Sequence, residues 1–235
     1  MARRITEEGR QLQGRGKGTG ANYKPWIKIS EYNSSGTAVS FPDWKHGRMI
    51  QLLSQAELWA YIALRWDDEI TDIREQYPLP LEETNAIAYK LGIRAFSKGE
   101  SKMTTNLVAN WKDGHLTAYA IELDRETLRN NKRRIERLLI EYHYWLSKGV
   151  RWKILYKEDF NPAYIRNIRD VVGCYDKERV ADEIGLIRYL IAHKLINVDL
   201  NKPLDYISIL TEIKGDNTWN SYYYMLEANL EIRMD

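Results

Sequence analysis

The chain has 235 residues and a formal net charge of +2, with 44% hydrophobic and 29% charged residues. This composition is that of a globular protein and excludes a wholly disordered chain, collagen and a coiled coil. No stretch approaches the ~18 consecutive apolar residues that a membrane span needs. The N-terminus lacks the apolar core of a signal peptide, and the single cysteine, Cys174, forms no internal disulfide, so we expect a cytoplasmic protein.

The net charge conceals a basic front and an acidic end. Residues 1–28 carry seven lysines or arginines and two glutamates, whereas residues 199–235 carry seven acidic and three basic residues. The front is also rich in glycine and offers little apolar surface to bury. We expect residues 1–22 to form a flexible basic arm. Either it contacts DNA phosphates, through Arg15 and Lys17, or it is only a solubilising tail.

From residue 23 to residue 160 the predicted elements alternate between strands and helices. A helix is expected after Ser54, a good N-cap residue that is followed three residues later by Glu57. Prolines, glycines and an Asp-Gly turn separate the later elements. The expected strands cover 70–77, 103–111, 116–123 and 150–156, and the expected helices cover 82–91 and 125–148.

The helix expected over 125–148 combines an apolar stripe with a basic first half. The stripe predicts which face packs on the sheet, and its members are Leu128, Ile135, Leu138, Leu139, Tyr142, Trp145 and Leu146. The basic residues are either DNA-phosphate contacts or a solvated helix face. They are Arg129, Lys132, Arg133, Arg134 and Arg137.

Beyond Pro162 the pattern becomes helical, with helices expected over 163–172 and 177–194 and a short strand over 195–200. The sequence therefore predicts an α/β domain over 23–160, with a mixed sheet flanked by helices. A small helical, winged-helix-like domain follows over 161–235. Clustered aromatic residues in its acidic end indicate either a protein interface or an internal packing patch.

Acidic and amide side chains near strand ends suggest a site for a divalent cation. Counting back from the Asp-Gly turn places Asn106 opposite Glu122, within one residue, while Asp124 follows on the same strand and Glu57 approaches from a helix. Each residue also has an ordinary structural interpretation. Glu57 is explained as a helix-capping residue, Glu122 and Asp124 as solvated charges, and Asn106 as a polar strand end.

Several strings, in chain order, resemble TnsA, the endonuclease subunit of heteromeric bacterial transposases. They include Leu52-Leu-Ser-Gln-Ala-Glu57, Ile70-Thr-Asp-Ile-Arg-Glu-Gln-Tyr-Pro-Leu79, Met103-Thr-Thr-Asn106 and Tyr119-Ala-Ile121. The resemblance covers residues 2 to about 160 and implies a restriction-endonuclease-like fold. It also implies cleavage of the five-prime strands at transposon ends with Mg²⁺ or Mn²⁺, beside a DDE-type transposase subunit and an AAA+ ATPase regulator.

The resemblance also assigns the site residues. The family's catalytic glutamate falls on Glu57, its aspartate on Asn106, and its Gln-x-Lys motif on Glu122 and Asp124. These four are the implied catalytic residues, and Glu57, Asn106 and Glu122 are the implied metal ligands.

Of the family's catalytic glutamate, aspartate and lysine, the last two are altered, to Asn106 and Asp124. A neutral amide holds Mg²⁺ less well than a carboxylate, and ionised Asp124 donates no hydrogen bond. Three interpretations remain: a rearranged but active nuclease, a silent subunit kept for DNA binding and assembly, or a phage-type nuclease of the same fold.

Overall fold

The computed structural model describes residues 5–31, 38–95, 102–215 and 219–224. The expectations for residues 1–4 and for the acidic end beyond Tyr224 lie outside the described residues. The chain divides into two compact units, residues 1–160 and 161–235. In the described ranges, no helix is both long enough and apolar enough to cross a membrane.

The first unit contains a small hairpin and a four-stranded sheet. The strands are β1 (Val39–Pro42), β2 (Met49–Leu52), β3 (Ile70–Pro78), β4 (Thr104–Trp111), β5 (Leu116–Glu122) and β6 (Arg151–Tyr156). β1 and β2 pair antiparallel, and the sheet has the order β3-β4-β5-β6. β3, β4 and β5 are antiparallel neighbours, whereas β6 runs parallel to β5. The parallel pair requires a crossover connection, which helices supply.

Helices flank this sheet. They are α1 (Glu7–Leu12), α2 (Gln55–Trp66), α3 (Leu81–Lys90), α4 (Arg125–Arg129) and α5 (Lys132–Ser147). α2 begins where the sequence predicts, because the Ser54 hydroxyl accepts a hydrogen bond from the backbone N–H of Glu57 at 3.1 Å. α2 contacts β3 and β5, and α3 packs against α5. A mixed sheet flanked by helices confirms the predicted α/β class.

The single helix expected over 125–148 is two helices. Asp124 caps α4 and Asn131 caps α5, each through a side-chain oxygen that accepts from a backbone N–H three residues later. Asparagine and aspartate favour such caps over helix interiors, since their side chains compete for backbone hydrogen bonds. The second cap starts a new helix, so the orientation of α5 is set by its own packing and not by continuity with α4.

The apolar stripe predicted for this helix is only partly buried. α5 contributes Ile140, Tyr144 and Trp145 to one core cluster of the first unit, and the other buried members of that cluster are Leu79, Ala88, Met103, Val108 and Ala118. Leu138 is also buried, beside Leu128. The prediction is wrong for the other four stripe residues, which are at least one-third exposed. They are Ile135, Leu139, Tyr142 and Leu146.

The prediction of a flexible arm is wrong for residues 5–22. Arg15 is buried, forms an ion pair with Glu31 at 2.8 Å and donates to the backbone oxygen of Trp26 at 3.2 Å. The hydroxyl of Tyr23 donates to the backbone oxygen of Glu75 on β3 at 3.0 Å. The residues that hold this segment in place lie beyond residue 22: the acidic Glu31 and the buried aromatic residues Tyr23 and Trp26. The composition of residues 5–22 alone therefore did not predict that the segment is packed.

The second unit is helical, as predicted, with α6 (Pro162–Val171), α7 (Glu183–Ala192) and α8 (Tyr206–Lys214). The strand expected over 195–200 is not formed, and the described part of this unit contains no strand. Instead, the buried Asn167 amide donates to the backbone oxygens of Leu200 and Lys202, at 2.8 and 2.6 Å. These side-chain hydrogen bonds pair two backbone oxygens of the loop, which therefore need no partner strand.

Arg15→Ala tests whether this arginine is structural. The substitution removes the closest cation from Glu31, while Arg10 still contacts that carboxylate at 3.3 Å. We therefore expect the free energy of unfolding to fall by about 2 kcal/mol, less than the ~3–5 kcal/mol of a fully orphaned buried charge. Urea denaturation measures the change. Lys17→Ala, at an exposed position of the same segment, is the control and should change stability by less than about 0.5 kcal/mol. Equal effects of the two variants would contradict the structural role.

Candidate active site

The candidate site is centred on Glu57, a buried carboxylate in the first turn of α2. Three donors from three parts of the fold surround it. The backbone N–H of Leu53 and the side-chain amide of Gln76 donate to Oε2, at 2.8 and 2.9 Å. The side-chain amide of Asn106 donates to Oε1 at 2.9 Å. Both carboxylate oxygens are therefore engaged by hydrogen-bond donors of the chain itself.

Asn106, near the start of β4, meets Glu57 as the sequence analysis expected. The backbone N–H of Ile121 donates to Asn106 Oδ1 at 2.9 Å, which turns the amide nitrogen towards Glu57. The register pairs Leu107 with Tyr119, and this continues to place Asn106 beside Ala120. The expectation that Asn106 lies opposite Glu122 is wrong by two residues, because the turn is shorter than the counting assumed. The backbone N–H of Trp111 donates to the oxygen of His115, so only three residues lie between these paired strand ends.

Gln76 is a member of the site that the sequence analysis missed. It lies buried in β3 with a backbone φ of +49°, a left-handed conformation that is unusual for a residue other than glycine. Its side-chain oxygen accepts from the hydroxyl of Thr104 at 3.2 Å, and its backbone oxygen accepts from the N–H of Trp26 at 3.2 Å. The only sequence signal was its place inside the Asp-Ile-Arg-Glu-Gln-Tyr-Pro string.

Burial raises the pKa of Glu57 from its ordinary value of 4.5 to about 7. The hydrogen bonds from Leu53, Asn106 and Gln76 and the positive charge of Arg134 oppose this rise, since each favours the ionised form. Near neutral pH, the Glu57 carboxyl is therefore divided between its protonated and ionised forms.

Glu122, at the end of β5, contacts a cation of the same chain. The guanidinium of Arg134, in the first turn of α5, donates to its carboxylate at 2.6 Å. Arg134 was expected on a DNA-binding surface, but it lies between acidic groups. Its charge also opposes the raised pKa of Glu141, a buried carboxyl whose pKa is raised mainly by burial.

Asp124 has a structural role at the start of α4. Its carboxylate accepts from the backbone N–H of Thr127 at 2.6 Å and from the Thr127 hydroxyl at 2.9 Å. These hydrogen bonds hold the pKa of Asp124 below its ordinary value. They also direct the carboxylate towards its own helix, so the structure explains Asp124 as an N-cap. Its expected catalytic role stays a prediction.

As arranged, these side chains do not fit a Mg²⁺ ion. Mg²⁺ takes oxygen ligands, whereas Asn106 turns its nitrogen towards Glu57 and its oxygen towards a backbone N–H. Both oxygens of Glu57 accept hydrogen bonds from the chain, and Oε1 of Glu122 accepts from Arg134. Across the described ranges, no three histidine, cysteine, aspartate or glutamate residues are grouped as metal ligands.

Besides Arg134, the six other proposed DNA contacts differ in their surroundings. Arg15 is buried, while Arg133 contacts Glu136 at 3.0 Å and the backbone oxygen of Arg94 at 3.0 Å. Arg137 is partly buried. Three are exposed, and for these residues phosphate contact stays a prediction. They are Lys17, Arg129 and Lys132.

Comparison with known proteins supports the resemblance. Residues 67–157, which include Asn106, Glu122 and Asp124, match a family model described as the TnsA-like endonuclease N terminal. The chain is also 31% identical over 228 residues to the transposon Tn7 transposition protein TnsA of Escherichia coli. That alignment covers 92% of this chain and 81% of the relative. The resemblance inferred from the short strings is therefore confirmed.

The raised pKa of Glu57 predicts how stability depends on pH. The folded chain binds this proton up to about pH 7, whereas the unfolded chain releases it near pH 4.5. The stability that the retained proton contributes is therefore present below pH 4.5 and is lost as the pH rises through 7. The destabilisation caused by Glu57→Ala should be larger at pH 5 than at pH 8, by up to about 3 kcal/mol.

Chemical denaturation at several pH values measures this difference. Glu69→Ala, which removes an exposed carboxylate paired with Lys112, is the control and should show a nearly constant effect above pH 5. Parallel stability curves for wild type and Glu57→Ala would contradict the assignment.

Proposed function

Because the chain belongs to the TnsA family of transposition proteins, we propose that it acts as the TnsA-like subunit of a heteromeric transposase at transposon ends. The family's endonuclease domain, which spans residues 67–157, supports a role on DNA. We propose two protein partners, a DDE-type transposase subunit and an AAA+ ATPase regulator. The second unit, residues 161–235, is the proposed contact for the regulator.

For the sequence as it stands, we propose that cleavage of the five-prime strand is weak or absent. One observation supports this: the amide nitrogen of Asn106 donates to Glu57. With the family's aspartate at position 106, two carboxylates would face each other there. Two facing carboxylates require a cation or a proton between them, whereas an amide and a carboxylate satisfy each other. The chain would then contribute DNA and partner contacts more than strand cleavage.

Metal-dependent cleavage with Mg²⁺ or Mn²⁺ is the second candidate function. It is favoured by the partial exposure of Arg134, whose side chain is 25% accessible. Glu57 and Glu122 would be the residues that hold the cation in this function, provided that a DNA phosphate draws Arg134 away from Glu122. In this function Asn106 would first have to turn its oxygen towards the metal, at the cost of its hydrogen bond from Ile121.

A nicking assay distinguishes the two functions. The assay combines the chain, the transposase partner, a transposon-end duplex and Mn²⁺, and a parallel melting experiment tests for stabilisation by the metal. We expect little nicking and little thermal shift from the wild-type chain. Asn106→Asp should introduce a metal-dependent thermal shift, because it creates a carboxylate pair. Asn106→Asp with Asp124→Lys should increase nicking at least tenfold, since both changes restore the family pattern.

Two controls complete this assay. Asp124→Lys alone accounts for loss of the α4 cap, and Glu57→Ala should abolish any nicking by the double variant. Robust cleavage by the wild-type chain that is lost in Glu57→Ala would reject the silent subunit. Absence of both nicking and thermal shift in the double variant would reject the nuclease.

DNA binding is tested separately from cleavage. Arg129 and Lys132 are exposed near the break between α4 and α5, so each is available for one phosphate contact. Replacing both with glutamine should weaken binding and reduce the slope of log affinity against log salt by about 2. Lys112→Gln is the control, because Lys112 is an exposed lysine on the turn between β4 and β5 whose charge is already paired with Glu69. An unchanged salt slope in the double variant would remove α4 and α5 from the DNA-binding surface.

A further inference from the structure

The outward face of α5 is apolar although it faces solvent. Ile135, Leu139, Tyr142 and Leu146 are 37%, 44%, 39% and 56% exposed. Leu138, Glu141 and Trp145, on the adjacent flank of the helix, are buried, as are Ile140 and Tyr144 on the far side. Tyr142 also packs against Trp152, with ring centroids 5.7 Å apart, but each of the four side chains keeps more than a third of its surface in solvent. A contiguous apolar face of this kind marks an interaction surface.

The spacing of these residues indicates what kind of partner fits. They are separated by four, three and four positions, which is the 3.5-residue repeat of a seam between two packed helices. A groove for a small ligand has no such repeat, and a membrane-binding helix has a wider apolar face with basic borders. The occupant expected for this seam is another helix.

We infer that the occupant is α5 of a second copy of this chain, packed antiparallel about a twofold axis. In this arrangement Leu139 meets Tyr142 of the partner subunit at the centre, and Ile135 meets Leu146 of the partner subunit at each end. The same residues serve on both sides, as a twofold interface requires.

Charge complementarity supports self-association in this orientation. Glu136 and His143 border the seam on one side, seven residues apart. In an antiparallel pair, Glu136 of one chain lies beside His143 of the partner subunit, so each interface gains two such contacts. In a parallel pair about a twofold axis, these positions of the two chains lie on opposite sides of the seam, so Glu136 would not reach His143 of the partner subunit. Glu136 already contacts Arg133 at 3.0 Å, and this leaves a second carboxylate oxygen for the histidine ring.

The size of the interface predicts a weak dimer. α5 has 16 residues and is about 24 Å long, so one helix pair buries less than the ~1,600 Å² of a standard interface. We therefore expect a weak, reversible dimer. Such a dimer is populated at high protein concentration and is favoured when two copies are held on neighbouring DNA ends.

Sedimentation equilibrium of the full chain over a wide concentration range tests this inference. The wild-type mass should rise towards twice the monomer mass, whereas Leu139→Glu should remain monomeric, with at least a tenfold weaker association. Tyr89→Glu is the matched control, because it places the same charge on a residue of α3 that is 86% exposed. Circular dichroism melting should show that all three proteins are equally folded.

A charge exchange tests the antiparallel orientation. Glu136→Lys and His143→Glu should each weaken the dimer, because each leaves like or unmatched charges across the seam, and the double variant should recover most of the affinity. A wild-type chain that stays monomeric at the highest concentration would overturn the inference, as would a dimer that survives Leu139→Glu. If the wild-type chain is monomeric and Leu139→Glu instead loses binding to a transposase subunit, the face belongs to that partner. None of these outcomes depends on DNA cleavage, so they are independent of the proposed function.

Discussion

The buried carboxylate of Glu57 connects the parts of the fold on which the candidate site depends. Its oxygens bind the loop before α2 through Leu53, strand β3 through Gln76 and strand β4 through Asn106. A buried charge is tolerated only where donors compensate for its lost hydration. The three donors achieve this in part, and burial still raises the pKa of the carboxyl to about 7. The site is therefore a closed hydrogen-bond network built around one acid.

This network explains why a single amide matters so much. Asn106 presents both a donor and an acceptor, and it uses them on Glu57 and on the backbone of Ile121. An aspartate in the same position would have two acceptors, one of which would face the Glu57 carboxylate without a proton or a cation between them. The amide thus supplies, inside the protein, the compensation that a bound cation would otherwise give to a pair of acids. Gln76 accepts an unfavourable backbone conformation within the same network, which is typical of residues at functional positions.

The outer half of the site is organised by Arg134. This guanidinium lies beside Glu122 and also influences the ionisation of Glu57 and Glu141. Its position depends on the Asn131 cap that begins α5 just before it. The same helix start directs Ile140, Tyr144 and Trp145 into the core and leaves a different apolar stripe in solvent. One capping residue therefore helps to set the charge of the site and the surface available for association.

The sequence by itself determined the family and most elements of the first unit. The Ser54 cap depends on a local side-chain to backbone hydrogen bond, and the strands follow from β-prone runs between turn residues, so residue spacing reveals both. The short strings around Glu57, Gln76 and Asn106 were sufficient to indicate TnsA. Local patterns of this kind retain their meaning wherever the segment finally packs.

Only the tertiary structure decided which of these residues meet. Arg15 is basic and flanked by glycines, and nothing near it in sequence indicated that Glu31 would bury it. Helical periodicity grouped Leu139 with Leu138, although the first is exposed and the second buried, because periodicity defines a stripe and not its orientation towards the sheet. Glu122 was expected beside Asn106 but binds Arg134, from another element. Hydrogen bonds and ion pairs depend on distances of about 3 Å between groups far apart in the chain, and those distances are fixed only when the core has packed.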